Sequence, residues 1–347
     1  VTREHAAKYL LGVQADGVGR RGKAAIRVIA ISGLLLALGG PAATVAAQTK
    51  LTFTLEHSRL LNPAEREAGG RFIPHWSGGA VLSVVGNPSD EPLIYRTGRD
   101  GRQEIIRFSI PDGRHISIYG LAGADDGTVA AVGSAYSKDG KGTAFLARIA
   151  PDRQKQTVTQ LMPYMPNVVT IAGDGSIWMI GWVRAGESVA EENVLKRFDA
   201  TGRALASEVL QARHRIMSGD DEARPRNRDA TALSALRNSR DRVAWYTNGN
   251  EYIEFSLDGK ILTRLDGPPV EKPLRIGVLL ALSAQNDVVA GNDRSGYWSL
   301  DRGSRTWIPI QFTGGERTKH NELLLGFDEN CLVFISGKGE VRRYRRE

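Results

Sequence analysis

The chain has 347 residues and a formal net charge of +7, with 46 basic and 39 acidic side chains and a single cysteine. One cysteine, Cys331, excludes an internal disulfide. Residues 1–47 hold six basic and two acidic residues, leaving 40 basic against 37 acidic for the rest, so the charge gives no grounds for a nucleic-acid partner.

The front of the chain explains its own basicity. Arg20, Arg21, Lys23 and Arg27 precede the apolar run Val28–Leu38. Gly39-Gly40-Pro41 breaks that run, and Val45-Ala46-Ala47 offers the small residues a signal peptidase reads. Residues 1–47 are therefore expected to be a signal peptide cleaved before Gln48, which makes the mature protein periplasmic or secreted, with membrane contact only through the signal. The apolar run is short for a spanning anchor, and no cysteine follows the small residues to carry a lipid. The long polar lead before it suggests an alternative start at Val18, which would leave residues 1–17 untranslated.

From residue 77 onward a turn followed by a β-rich apolar run recurs. It stands at Ser77-Gly78-Gly79, Asp126-Gly127, Asp174-Gly175, Asp241-Arg242, Asn286-Asp287 and Glu329-Asn330, each followed by residues such as Ile177-Trp178-Met179-Ile180. Taking positions 79, 127, 175, 242, 287 and 330 as anchors, the steps are 48, 48, 67, 45 and 43 residues, the spacing of four-stranded propeller blades. A second half recurs in phase, clearest in Asn193–Leu205, where a short strand meets the tight turn Asp199-Ala200-Thr201-Gly202 and a return strand. The pair predicts a short antiparallel sheet with one face needing a neighbour. After the sixth anchor there is room for one more strand, near Val341–Tyr344. The alternating Leu51-Thr52-Phe53-Thr54-Leu55 is predicted to supply the missing outer strand and close the ring. The 67-residue step is taken up by 211–229, a charged, aperiodic stretch read as an inserted surface loop. The expected organisation is one all-β domain, 48–347, a six-bladed β-propeller.

Asp174–Trp178 followed by Leu195–Gly202 resembles one blade of the six-bladed propellers of the NHL and TolB-like kind, over about residues 51–347. The Asn-His-Arg run of those families does not occur before Phe198, where Val194–Arg197 stands instead. The resemblance implies a scaffold with a funnel at one end. Its families include binders of proteins and polysaccharides as well as hydrolases and lactonases.

In such folds, polar residues at the start of each innermost strand face the channel, which singles out Arg71, His75, His115, Asn167, Asp229, Arg275 and His320 as a ligand-binding mouth. Their mixed charge suits an anionic or polar ligand. A second set, Asn167, Asp229, Asn321 and Glu322, carries the calcium reading implied by lactonase-like propellers, and with it a metal-dependent hydrolase as the alternative function. The favoured function is an exported, monomeric binding module for a protein, peptide or glycan, with no cofactor and no assigned catalytic residue.

Cys331 stands in the apolar run Cys331–Ile335 and reads as a buried small hydrophobe. Arg342-Arg343-Tyr344-Arg345-Arg346 reads as a solvated strand edge that discourages strand addition. Trp178, Trp182, Trp245, Trp298 and Trp307 are expected to pack between blades.

Overall fold

The computed structural model describes residues 50–60, 75–77, 79–85, 89–185, 188–189, 193–212, 235–247, 249–270, 279–292, 295–314, 322–336 and 340–347. All lie in the larger of the chain's two compact units, Ala47–Glu347. The expected signal segment, and the expected inserted loop from residue 213 on, fall outside the described residues.

Strand β1 is Leu51–Leu60. One four-stranded sheet follows from β2 (His75–Ser77), β3 (Ala80–Val85), β4 (Leu93–Gly98) and β5 (Gln103–Arg107). A second comprises β6 (Gly113–Gly123), β7 (Val129–Ser137), β8 (Gly142–Ile149) and β9 (Gln156–Gln160). A third runs β10 (Tyr164–Ile171), β11 (Ile177–Ala185), β13 (Asn193–Phe198) and β14 (Ala204–Leu210), with the short β12 (Ser188–Val189) on β11. A fourth holds β15 (Ala235–Asn238), β16 (Arg242–Tyr246), β17 (Glu251–Ser256) and β18 (Ile261–Asp266). The remaining strands are β19 (Leu279–Leu282), β20 (Val288–Asn292), β21 (Gly296–Asp301), β22 (Thr306–Thr313), β23 (Glu322–Asp328), β24 (Cys331–Ser336) and β25 (Glu340–Arg346). They join β1 in an eight-stranded sheet of order β19-β20-β21-β22-β1-β25-β24-β23. Within it β1 pairs antiparallel with β25, Leu55 opposite Tyr344, and parallel with β22, Leu51 opposite Ile310. The parallel seam divides the eight strands into two meanders with the strand order of the free-standing sheets.

Turn chemistry sets the strand breaks. Asp174 Oδ1 accepts from the Ser176 amide at 2.9 Å, and Gly175 takes φ +81°, a left-handed conformation that glycine adopts without a Cβ penalty. Asp126, Gly127 and Thr128 repeat this one sheet earlier. At the later turns Asn286 and Glu329 supply the positive φ. A further repeated device is a β-bulge in the first strand, between Ile118 and Gly120 in β6 and between Pro166 and Val168 in β10. The neighbouring strand accommodates it with a glycine. A Cβ on Gly133 or Gly181 would stand about 2 Å from the carbonyl oxygens of Ser117 or Met165.

Both faces of the inner strands of each sheet are buried, so the face that needed a neighbour has one. In β7, Val129 and Ala131 enter a core with Leu82, Val84 and Ile94 of the preceding sheet, whereas Ala130 and Val132 enter the next core with Val169, Ile171, Ile177 and Met179. In β11, Trp178 and Ile180 turn the other way, against Leu236, Val243, Trp245 and Phe255. Strand side chains alternate between faces, so an uninterrupted apolar run such as Ile177–Ile180 is the signature of burial on both. Two more clusters join β15–β17 to β19–β21, and β19–β21 to β23–β25 with Phe53. The last joins Val333, Ile335 and Val341 to Val81 and Trp76 of the first sheet. The first strands follow suit: β2 lies beside β6, β6 beside β10, then β15, β19 and β23, and β23 beside β2. Trp178 and Trp245 are fully buried, each contributing about 1.5–3 kcal/mol of apolar burial or somewhat more. The arrangement of small sheets is that of a β-propeller.

Candidate functional site

Because each sheet is a meander, the turns after its first and third strands share one end, and the first strands begin at the other. The turn end is stitched by arginines that reach from one sheet to the next. Arg153, in the β8–β9 turn, clamps Glu104 of β5 with Nε–Oε1 at 2.5 Å and Nη2–Oε2 at 3.0 Å. Arg302, in the β21–β22 turn, grips Glu254 of β17 at 2.6 and 2.8 Å. Glu254 is completely buried and also meets Arg242. Asp328, at the end of β23, takes Arg343 of its own sheet at 3.0 Å and Arg99 of the first sheet. Arg346 approaches Asp287 of the preceding meander at 3.4 Å. The hydrogen bond from Arg153 is the main reason the Glu104 carboxyl lies below the ordinary value of 4.5.

The sequence placed the ligand site at the opposite end. Arg71, Asp229, Arg275, His320 and Asn321 lie outside the described residues, as does the side chain of His75. Three of the set can be located, on three first strands: His115 in β6, Asn167 in β10 and Glu322 at the start of β23. His115 is exposed at φ +47°, its amide donating to Asp90 Oδ1 at 2.7 Å. Asn167 is the bulged residue of β10 and is partly exposed. Glu322 is 1% exposed and receives Arg342 Nη1 at 2.6 Å. Its carboxylate is thus paired within its own sheet. Among the described residues no three His, Cys, Asp or Glu side chains gather as metal ligands would.

One sequence expectation is corrected, and the burial expected of Cys331 is met. The C-terminal arginines do not border solvent as an edge, since β25 is flanked by β24 and β1; Arg342 and Arg343 are half-buried and paired with Glu322 and Asp328. Cys331 is buried, yet its Sγ donates to Glu56 Oε2 at 3.1 Å, and burial followed by this bond holds the thiol above its usual value. Trp178, Trp245, Trp298 and Trp307 do pack between sheets; Trp307 meets Tyr252 edge-on at 5.9 Å and donates to Asp266 O at 2.8 Å.

Sequence reasoning missed Arg237. It occupies β15, the unpaired inner edge of its sheet, surrounded by protein while keeping a partly accessible face. Nη1 donates to Leu236 O at 3.0 Å, and the buried Nε has no partner. Among the described residues no carboxylate pairs with it, and desolvation lowers the guanidinium to about 10. The anchor Asp241-Arg242 could have located β15 by counting back one turn; the long insert instead drew attention to Asp229.

A cavity of about 290 Å³ opens at the turn end between β20–β21 and the β1–β25–β24 strands. Leu51, Phe53, Val289 and Phe327 form its apolar wall, and Asp287, Asn330, Arg346 and Glu347 its polar rim.

The fold and these sites define an all-β, propeller-like scaffold held by inter-sheet ion pairs. No family model matches the chain and no curated protein matches it. A solved structure described as "Crystal structure of BBS1N in complex with ARL6DN, soaked with lead" is similar over 78% of this chain and 76% of that one, at 12% identity and a TM-score of 0.44.

Proposed function

We propose that this chain is an exported six-bladed propeller, closed by its N-terminal strand, that binds an extended segment of a protein or peptide partner at its outer rim. Six blades are supported by the two meanders within the eight-stranded sheet and by the closed succession of first strands. Export rests on the leader-like pattern of residues 20–47; N-terminal sequencing of protein recovered outside the cytoplasm should begin at Gln48.

The observation that carries the binding reading is on β14. Among the described residues it pairs only with β13, which leaves its outer backbone edge open, and Leu205 and Val209 are each 52% exposed there. An outer strand of this protein already accepts an additional strand, for β22 is paired in parallel by β1. Main-chain pairing to an open edge gives affinity, and apolar side chains spaced four residues apart give a preference for alternating apolar positions in the partner.

The test is selection from a displayed random-peptide library on the purified chain, followed by titration of the selected peptides against Leu205→Glu/Val209→Glu. Selected peptides should carry alternating apolar residues and lose at least tenfold in affinity on the double variant. Peptides that bind the variant equally well, or a chain that binds glycans and no peptide, would sink this reading.

A further inference from the structure

Five partly or fully enclosed arginines of this chain, Arg153, Arg242, Arg302, Arg342 and Arg343, each meet a carboxylate within ion-pair distance. Arg237 does not. Its one hydrogen bond is to the carbonyl of the preceding residue, and its Nε is buried with nothing to donate to. A guanidinium is not discharged near neutral pH, so it stays charged in a site where charge is costly. A buried cation kept without a counter-charge is a stability cost that a bound anion would relieve.

The surroundings suit such an anion. β15 lies beside β10 and β19 in the cycle of first strands, so Arg237 belongs to the wall of the central passage. A planar fork of N–H donors matches the oxygens of a carboxylate or phosphate.

We propose that Arg237 is the anchor of an oxyanion-binding site in the central passage, taking a small ligand through its carboxylate or phosphate group. The site rests on the ring arrangement proposed above and is independent of the rim surface.

The experiment is calorimetric titration of the purified chain with inorganic phosphate and, separately, with acetate at constant ionic strength, alongside melting curves in chloride. Both anions report the shared chemistry, and the tighter one names the source. Wild type should bind at least one of them at one per chain. Arg237→Met should lose at least tenfold in affinity while melting in chloride at or above the wild-type temperature, because it removes an uncompensated charge and keeps the side-chain length. Arg237→Lys should keep part of the affinity, since it retains the charge without the fork. No binding of either anion to wild type, equal binding by Arg237→Met, or a lower melting temperature for that variant in chloride would each overturn the site. Failure of the ring would show as absent coupling between Arg99 and Asp328 together with loss of anion binding, whereas failure of the site alone would leave that coupling intact.

Discussion

Arg342 and Arg237 are both partly buried on β-strands, but β25 is paired on both sides whereas β15 is a sheet edge, and their partners differ. Arg342 reaches Glu322 at 2.6 Å and Glu340 at 2.8 Å, whereas Arg237 reaches a backbone carbonyl. The first arrangement is self-contained: attraction and hydrogen bonding offset desolvation of both partners, and neither group is left to act on anything else. The second is incomplete. In a scaffold where carboxylates such as Glu254, Asp328 and Glu322 are occupied by arginine, an enclosed arginine without a carboxylate is available to a ligand.

The comparison breaks first at the clamps. Glu254→Ala removes a fully buried carboxylate from Arg242 and Arg302, whose side chains are 29% and 33% exposed, and should cost about 3 kcal/mol in urea unfolding; a loss below about 1 kcal/mol would mean the clamp is not buried in solution. Arg342→Ala removes the enclosed Arg342–Glu322 pair and should cost about 2–3 kcal/mol, whereas a solvated edge arginine would cost close to nothing. A double-mutant cycle on Arg99 and Asp328 should return a coupling of about 1 kcal/mol, modest because Arg99 is 45% exposed. Zero coupling would remove the contact between the first and last sheets.

Acid should act in the same direction but more gently. The Glu104 carboxyl is held low by Arg153, so the unfolded chain binds its proton more readily than the folded one. Its contribution is complete above the unfolded value of about 4.5 and is lost as pH falls through the lower folded value. Melting temperature should therefore fall with pH in that window, less steeply in Arg153→Gln. Arg237→Met should show the smallest change and the opposite sign, neutral or slightly stabilising by up to about 1 kcal/mol without added anion.

Much of the strand plan was legible because its determinants are local. Asp174-Gly175-Ser176 makes its turn with its own side chain and its own φ, and the same three-residue logic at Asp126-Gly127-Thr128 marks the period. The pairing of β1 beside β25 was also legible, since the last anchor leaves one strand position unfilled and Leu51–Leu55 has the alternation to fill it. The terminal arginines were misread because a basic run carries no mark of what lies opposite. Arg342 and Arg343 meet carboxylates that arrive from β23 across the sheet.

The sequence by itself determined the strands, their turns and their repeat, because backbone conformation and side-chain alternation act over a few residues. Only the tertiary structure decided which charges are spent and which remain. Whether an arginine on a strand meets Glu254 from a neighbouring sheet or meets no carboxylate depends on packing between segments tens of residues apart. The energy of a charge in a protein depends on who surrounds it, and that is absent from its place in the chain.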